Sequence, residues 1–561
     1  MKIFLVNPSL LDLRPNEYDV FSVPTGLYYI GALLINHGFD VEIINLALQE
    51  HPLVCFKEKL EQEQPLIIGF SLLNANRFSA FEAAREAKKI NRDVKIVFGG
   101  PCATFLSKHL FEVLPELDFI VSGEGEFTFL ELVSMIDSGC VETFESIDGL
   151  LYRSNNQIIK TRPRKLIDDL DLLPGPARFF RFQHLSFSRG CPGSCNFCGS
   201  PGFWGRGRVR FHSPRWFVDQ MEILYKKGVT HFYISDDTFT MDRGRVLEVC
   251  SEIISRNMDI TFAAISRVDF VSREVLFSMR KAGCIQISFG VESGAVKIRK
   301  ILGKPVTRDR IIKSFHMTAS YGILPRAYFI YGSPCEDKQT IKESCDLILQ
   351  IKPLGAIFYM LVIFPGTGFY NTLKGKGLVS DKVWEERIED IPWFRFDPDL
   401  CFEDVKSFGE ELKSTFYGNL DKFALDINLV DEPELYSGHA EFLSRLGMTF
   451  SHGEYKDNRY VKNRDSLTTA EKLFKKALAY SPDRTAYLGL GMLFQKKVQF
   501  EKAISILEKG LGFFPDDFDL NICMGVSLMN TKRFSKALDY FNNFKDNNHA
   551  AHYINLCKQR L

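Results

Sequence analysis

The sequence predicts an α/β protein in three folded parts. A doubly wound parallel sheet occupies residues 1–140, an incomplete (β/α)6 barrel residues 183–365, and an all-α array of repeated helix pairs residues 461–561. Three observations predict this. Short apolar strands alternate with helical stretches from Met1 onward, which is the pattern of a parallel sheet. A second alternating series begins near His184 and supplies six further βα units. The last hundred residues repeat with a period of about 33. A chain of 561 residues exceeds what one hydrophobic core supports, so several domains are expected.

In the first part, Met1 to Val6 reads as a strand, and Tyr28 to His37 has helical periodicity that Gly38 stops. Strands follow at Val41–Asn45, Leu66–Ser71, Lys95–Phe98 and Phe119–Val121. Glycines fall at strand ends: Gly69, Gly99-Gly100, Gly123 and Gly125. In such sheets ligands bind beyond the carboxyl ends of the strands, where backbone must come close. Residues 141–182 read as a connector, with a hairpin turning at Asn155-Asn156 and a break at Pro174-Gly175-Pro176. Barrel strands are expected at His184–Ser188, His231–Ile234, Ile260–Ile265, Ile285–Phe289, Arg326–Tyr331 and Ala356–Phe364, with helices such as Pro214–Lys227 and Ser272–Ala282 between them. Residues 366–460 form a helical extension without clear assignment. In the repeat, Ala470, Phe474, Ala477 and Pro482 are echoed by Ala503, Leu507, Gly510 and Pro515, and Ala537 and Phe541 begin a third copy. Small residues at these positions let two helices touch. An ordinary helical bundle is the alternative.

Apolar residues at 45% and charged residues at 25% are those of a water-exposed globular chain. Lys plus Arg and Asp plus Glu are both 70, which gives no electrostatic case for nucleic acid as a partner. The longest apolar run, Ala356 to Phe364, is far short of a membrane span, and the first residues lack a signal-peptide core, so a cytoplasmic location is expected. Thirteen cysteines, an odd count, argue against a disulfide framework. Ten are scattered and read as buried thiols.

The other three stand in Cys191-Pro-Gly-Ser-Cys195-Asn-Phe-Cys198, directly after an expected strand. A C-x3-C-x2-C loop supplies three soft thiolates from one segment, and three thiolates on an iron–sulfur cluster leave one iron open. Zinc would want a fourth close ligand, for which His212 is the nearest downstream histidine. The spacing, with Phe197 before the last cysteine, resembles the signature of the radical S-adenosylmethionine (SAM) superfamily. The resemblance implies a [4Fe-4S] cluster whose open iron chelates SAM, and reductive cleavage of SAM to a 5′-deoxyadenosyl radical. It also implies a reducing partner such as flavodoxin or ferredoxin.

Strand-end residues extend the resemblance. Asp236 and Asp237 end the second barrel strand and are candidates for SAM's ammonium group, or a helix cap. Arg267 and Asp269 follow the third strand. Glu292 and Ser293, within Gly290-Val-Glu-Ser-Gly294, resemble the family segment that contacts SAM. Arg326 is a candidate for SAM's carboxylate, or an ordinary salt bridge. Gly332 lies in Tyr331-Gly-Ser-Pro334, and Phe364-Pro-Gly-Thr367 ends the sixth strand. No residue is singled out as catalytic.

In the first domain, Ser22-Val-Pro24-Thr-Gly26-Leu-Tyr-Tyr-Ile30, Gly99-Gly-Pro-Cys-Ala-Thr104 and Gly123-Glu-Gly-Glu-Phe-Thr128 are similar to the cobalamin-binding domain fused to a large radical SAM branch. That branch includes cobalamin-dependent methyltransferases and the anaerobic magnesium-protoporphyrin ester cyclase. The resemblance marks Pro24, Gly26, Ser71, Leu72, Asn74, Gly99, Gly100, Gly123, Glu124, Gly125 and Glu126 as cobalamin contacts. The Asp-x-His-x-x-Gly loop that supplies a cobalt ligand in many cobalamin proteins is missing from the sequence. The resemblance therefore implies cobalamin bound without a histidine ligand, its lower face against a loop such as Leu72 to Asn76.

The implied activity is methylation of an unactivated carbon in a small or carrier-bound substrate. A cobalamin-dependent cyclase or rearrangement enzyme is the alternative. A protein-binding adaptor is the reading from another class, because the C-terminal repeat resembles tetratricopeptide repeats, whose concave face takes a protein partner.

Overall fold

The computed structural model describes residues 1–9, 24–139, 141–155, 157–387, 391, 397, 399–453, 455, 458–461 and 466–561. Ser22 and Asn156, named above, and Cys140, one of the ten scattered cysteines, lie outside them.

The first sheet has seven strands: β1 (Lys2–Asn7), β2 (Asp40–Asn45), β3 (Ile67–Ser71), β4 (Lys95–Gly99), β5 (Phe119–Val121), β6 (Leu150–Ser154) and β7 (Gln157–Lys160). Their order is β2-β1-β3-β4-β5-β6-β7. β1 to β5 are parallel, and the central residues of β1, β3, β4 and β5 are buried because helices cover both faces, while β2 forms the half-exposed edge. The direction of winding reverses between β1 and β3, which is where a doubly wound sheet opens a crevice. The hairpin expected in the connector instead belongs to this sheet: β6 pairs antiparallel with β5, and β7 with β6. It covers an edge that β5 would otherwise leave unpaired. The sheet domain therefore runs to Lys160 rather than ending at 140. Gly38 stops the first helix, Thr25–Asn36, with φ of +86°.

The second sheet contains β8 (His184–Leu185), β11 (His231–Ile234), β12 (Thr261–Ser266), β13 (Cys284–Glu292), β14 (Leu324–Tyr331) and β15 (Gly355–Met360), in the order β15-β14-β13-β12-β11-β8, all parallel. It is the open six-stranded barrel expected. A short ribbon pairs β9 (Ser188–Arg189) with β10 (Arg210–Phe211). The sixth strand ends at Met360, so Phe364–Thr367 lies beyond it.

Helices from Phe402 onward pack against the barrel and then stack in pairs. The helix Tyr436–Ser451 covers the amino-terminal end of β13: Arg445 donates to the Ile285 carbonyl, and Arg280 bridges the Cys284 carbonyl and Glu441. The opposite, carboxyl end of the barrel meets the first sheet. The helices 466–480, 484–496, 500–513, 518–530, 534–542 and 548–558 follow at short intervals. Gly491 lies against Leu507, Gly510 against Tyr487 and Gly525 against Phe541, so the repeated small residues are where helices touch. Among the described residues no helix is long and apolar enough to cross a membrane.

Candidate active site between the two sheets

The cysteine loop leaves β9 and is held at its base by Asp236. That carboxylate accepts from the Phe187 N–H at 2.7 Å and the Ser188 hydroxyl at 2.6 Å, and is 1% exposed. Burial pushes Asp236 up to about 6, against the pull of these donors. Asp236 thus fastens the start of the loop to β11, and no face remains for SAM; its sequence assignment is corrected. The next residue, Asp237, opens onto a cavity and accepts from the Ser200 hydroxyl at 2.5 Å.

The loop is also held from its far side. Asn196 N–H donates to the Leu302 carbonyl, its amide to the Ile301 carbonyl, and its own carbonyl accepts from Phe369. Gly303 lies so close that a Cβ would stand 3.1 Å from the Ser194 oxygen. The position a Gly193 Cβ would take is 3.0 Å from an Arg267 Nη, 3.4 Å from the Cys191 sulfur and 3.8 Å from the Cys195 sulfur. Two thiols and a guanidinium therefore surround one small space. Burial raises the Cys195 thiol and pushes Cys198 up to about 11. Such thiols give up their protons when a cation arrives to take them. Among the described residues no three His, Cys, Asp or Glu side chains are gathered tightly enough for one metal ion. A single tetrahedral zinc draws its thiolates to within about 4 Å of one another, given bonds of about 2.3 Å; a four-iron cube holds them farther apart. The donor set fits a cluster. His212 is not a fourth ligand: its Nδ1–H donates to Asp171 at 2.9 Å, its Nε2 accepts from the Tyr29 hydroxyl at 3.0 Å, and its ring stacks on Trp216. Burial holds it down to about 4.

A cavity of about 660 Å³ lies between the sheets. From the first domain it is lined by Pro24 and Gly26, by Ser71 and Asn74 after β3, by Gly99 and Gly100 after β4, and by Gly123 to Glu126 after β5. From the barrel it is lined by Cys198, Ser200, Phe203, Trp204 and Asp237. Cobalamin is a flat corrin fringed with amides, and the walls suit it. No atom lies within 4 Å of where a Cβ on Gly26 or Gly123 would be, so these glycines leave room. Asn74 Oδ1 is buried without a hydrogen-bond partner, an acceptor facing an amide-rich guest.

Leu72 is the exception among the expected cobalamin contacts. It is fully buried, its N–H donates to Gly99 and its carbonyl accepts from Cys102, and a Cβ on Gly100 would stand 2.9 Å from its oxygen. Leu72 supports the wall from behind, while Leu73, Asn74 and Ala75 form the surface. Glu124 and Glu126 also differ from expectation. Arg189 donates to Glu124 at 2.8 Å and to Glu126 at 2.7 Å, and Arg210 donates to Glu124 at 2.7 Å. Burial alone would raise Glu124; Arg210, Arg189 and the Ile167 N–H overcome it and hold the carboxyl below its usual range. Both carboxylates are thus committed to arginines of the barrel, tying the two domains together. Removing one partner of such a buried set costs about 3–5 kcal/mol.

The other SAM candidates divide. Glu292, in left-handed conformation with φ of +65°, ends β13 and pairs with Lys304 at 2.8 Å, and this pair lies beside Cys195. Ser293 is fully buried, turned to Ser344 and to the Ala295 N–H, and is corrected to a structural role. Gly332 gives its N–H to Glu336 and packs on Val405, so it too serves the loop's shape. Arg326 is not brought to this group. It stands five residues before Tyr331, about 16 Å at 3.3 Å per residue, below the strand ends where the thiols lie.

Comparison with known proteins agrees with this geometry. Residues 17–133 match the B12 binding domain and residues 185–348 the radical SAM superfamily. The chain joins a B12-binding domain to a radical SAM domain. It is 29% identical over 398 residues to an uncharacterized methyltransferase of Pyrococcus horikoshii, covering 69% of this chain and 86% of that one. It is 27% identical over 376 residues to the anaerobic magnesium-protoporphyrin IX monomethyl ester cyclase of Rubrivivax gelatinosus, covering 64% and 67%. Its fold is that of the radical SAM methyltransferase TsrM of Kitasatospora setae, with cobalamin and a [4Fe-4S] cluster bound: TM-score 0.62, 16% identity, 85% of this chain and 99% of that one. This radical SAM enzyme therefore uses a [4Fe-4S] cluster, SAM and cobalamin.

Proposed function

We propose that the enzyme is a cobalamin-dependent methyltransferase acting on an unactivated carbon of a small or carrier-bound substrate. The observation that carries this is the shared cavity, whose one wall is the B12-binding domain and whose other wall includes Cys198 and Asp237. Bound there, the cluster with SAM supplies a carbon-centred radical and cobalamin supplies a transferable methyl group. The protein's share is placement and exclusion. Cys191, Cys195 and Cys198 hold the cluster. Asp237 accepts SAM's ammonium, with the Glu292–Lys304 pair beside it. Gly26, Gly99, Gly100 and Gly123 admit the corrin, with Asn74 receiving an amide, and Phe203 and Trp204 keep water out. A reducing protein such as flavodoxin or ferredoxin supplies electrons. The C-terminal helix pairs are read as tetratricopeptide repeats that dock a protein partner or carrier.

SAM carrying a deuterated methyl group tests the reading: label must pass to product. The cyclase relative favours a second reading, oxidative cyclisation without methyl transfer. That reading wins if turnover yields 5′-deoxyadenosine and an altered substrate without label.

A further inference from the structure

Arg326 is a half-buried cation that no described acid or carbonyl answers. Its neighbours across the sheet are Ser288 on β13 and Gly355 on β15. The missing side chain of Gly355 leaves its bed: a Cβ there would stand 3.4 Å from the Arg326 Cγ and 3.5 Å from its Nε. Two odd-numbered residues of β14, Ala327 and Phe329, are fully buried among the outer helices. Strand alternation therefore turns Arg326 and Tyr328 to the barrel interior. Among the described residues no carboxylate lies within ion-pair distance of the guanidinium.

The wall above it is aromatic and aliphatic. Tyr328 and Tyr359 meet at 6.0 Å, and Tyr359 is 42% exposed although it lies on the concave face. Across the interior, Ile265 is 37% exposed. His184 stacks on Tyr233 at 4.7 Å. Six strands do not close, so this interior opens at the gap between β15 and β8. An unpaired guanidinium at the base of an aromatic wall is half of a binding site for an organic anion.

We propose that Arg326 anchors the substrate's anionic group, a carboxylate or a phosphate, while an apolar, flat body lies along Tyr328, Tyr359 and Ile265 toward the strand ends. The inference rests on the radical SAM reading above and adds the substrate's chemical class to it. The depth of Arg326 sets the order: anion at the base, reacting carbon near the cavity where Asp237 and the thiols stand.

The test uses the full-length, cluster-reconstituted enzyme with S-adenosylhomocysteine at saturation and three probes of one shape: 1-naphthoate, 1-naphthyl phosphate and 1-naphthamide. Calorimetry is expected to give at least tenfold tighter binding of one anion than of the neutral amide, and whichever anion wins names the group. Arg326→Gln should erase the preference while leaving naphthamide binding, SAM affinity and substrate-free 5′-deoxyadenosine formation unchanged. Arg326→Lys should keep part of it and guards against a folding defect in the first variant. Equal binding of all three probes by the unaltered enzyme overturns the proposal. So does loss of SAM affinity in Arg326→Gln, which would return the residue to SAM. Iron content and SAM cleavage are read separately, so a failure of the radical SAM reading is distinguishable from a failure of this one.

Discussion

Filling the cavity from Gly26 separates cobalamin binding from everything else. Gly26 is the second residue of the helix Thr25–Asn36 and lines the cavity, with no atom within 4 Å of where its Cβ would be. Its φ is not in the left-handed region, so a side chain fits the backbone. Replacing a helical glycine by leucine gains roughly 0.5–1 kcal/mol of local stability, while the isobutyl group occupies space the corrin needs. A ligand present at a hundred times its Kd stabilises the folded state by about 2.7 kcal/mol. Gly26→Leu should therefore melt at or slightly above the unaltered apoprotein, and should lose the whole of the increment that hydroxocobalamin gives. Anaerobic thermal unfolding with and without hydroxocobalamin, and the corrin absorbance retained after desalting, measure both quantities. Iron content should stay unchanged, because Gly26 is remote from the cysteine loop in the chain and shares no hydrogen bond with it. Stoichiometric corrin and an undiminished increment in Gly26→Leu would refute the assignment of this cavity.

Three further outcomes follow from the geometry. Cys195→Ala should reduce 5′-deoxyadenosine formation from SAM to background, measured with dithionite as reductant. Arg267→Gln removes a positive charge beside two thiolates and leaves Asp269 unpaired, so the cluster potential should fall by tens of millivolts, up to about 100 mV, by redox titration. His212 is neutral when folded and held down to about 4, whereas in the unfolded chain it binds a proton below about 6.5. Stability should therefore be lost as pH falls from about 6.5 toward 4, by on the order of 3 kcal/mol, and denaturant midpoints of His212→Gln should lack that slope.

The fold was legible where the signal was local. Strand–helix alternation set out β1 to β5 and the six barrel strands within a few residues, and the cysteine spacing needs only eight residues of chain. The strand-end glycines were legible for the same reason, since Gly99, Gly100 and Gly123 mark where backbone must approach a guest. What stayed hidden depends on pairing between distant residues. Glu124 reads as a cavity contact until Arg189 and Arg210, some 65 and 86 positions on, claim its oxygens. Asp236 reads as a ligand until the Ser188 hydroxyl, 48 positions earlier on the separate β9 ribbon, claims it. Lys304 carried no motif, yet it neutralises Glu292 beside the cluster loop. The hairpin at 150–160 was legible as a hairpin, but which edge it would cover was not, because that depends on β5 lying outermost. The depth of Arg326 follows from where β14 starts and ends, and strand boundaries are what local patterns fix least well.

If one cavity serves a cluster and a corrin together, both must be found in the same purified chain. The most direct measurement is the iron, sulfide and cobalamin content, with the absorption spectrum, of enzyme purified without oxygen from cobalamin-supplied cells. About four irons and four sulfides per chain, together with one cobalamin, are expected. About four irons with no cobalamin would contradict this: the barrel would keep its radical chemistry, while the shared cavity and the methyl transfer built on it would have to be given up.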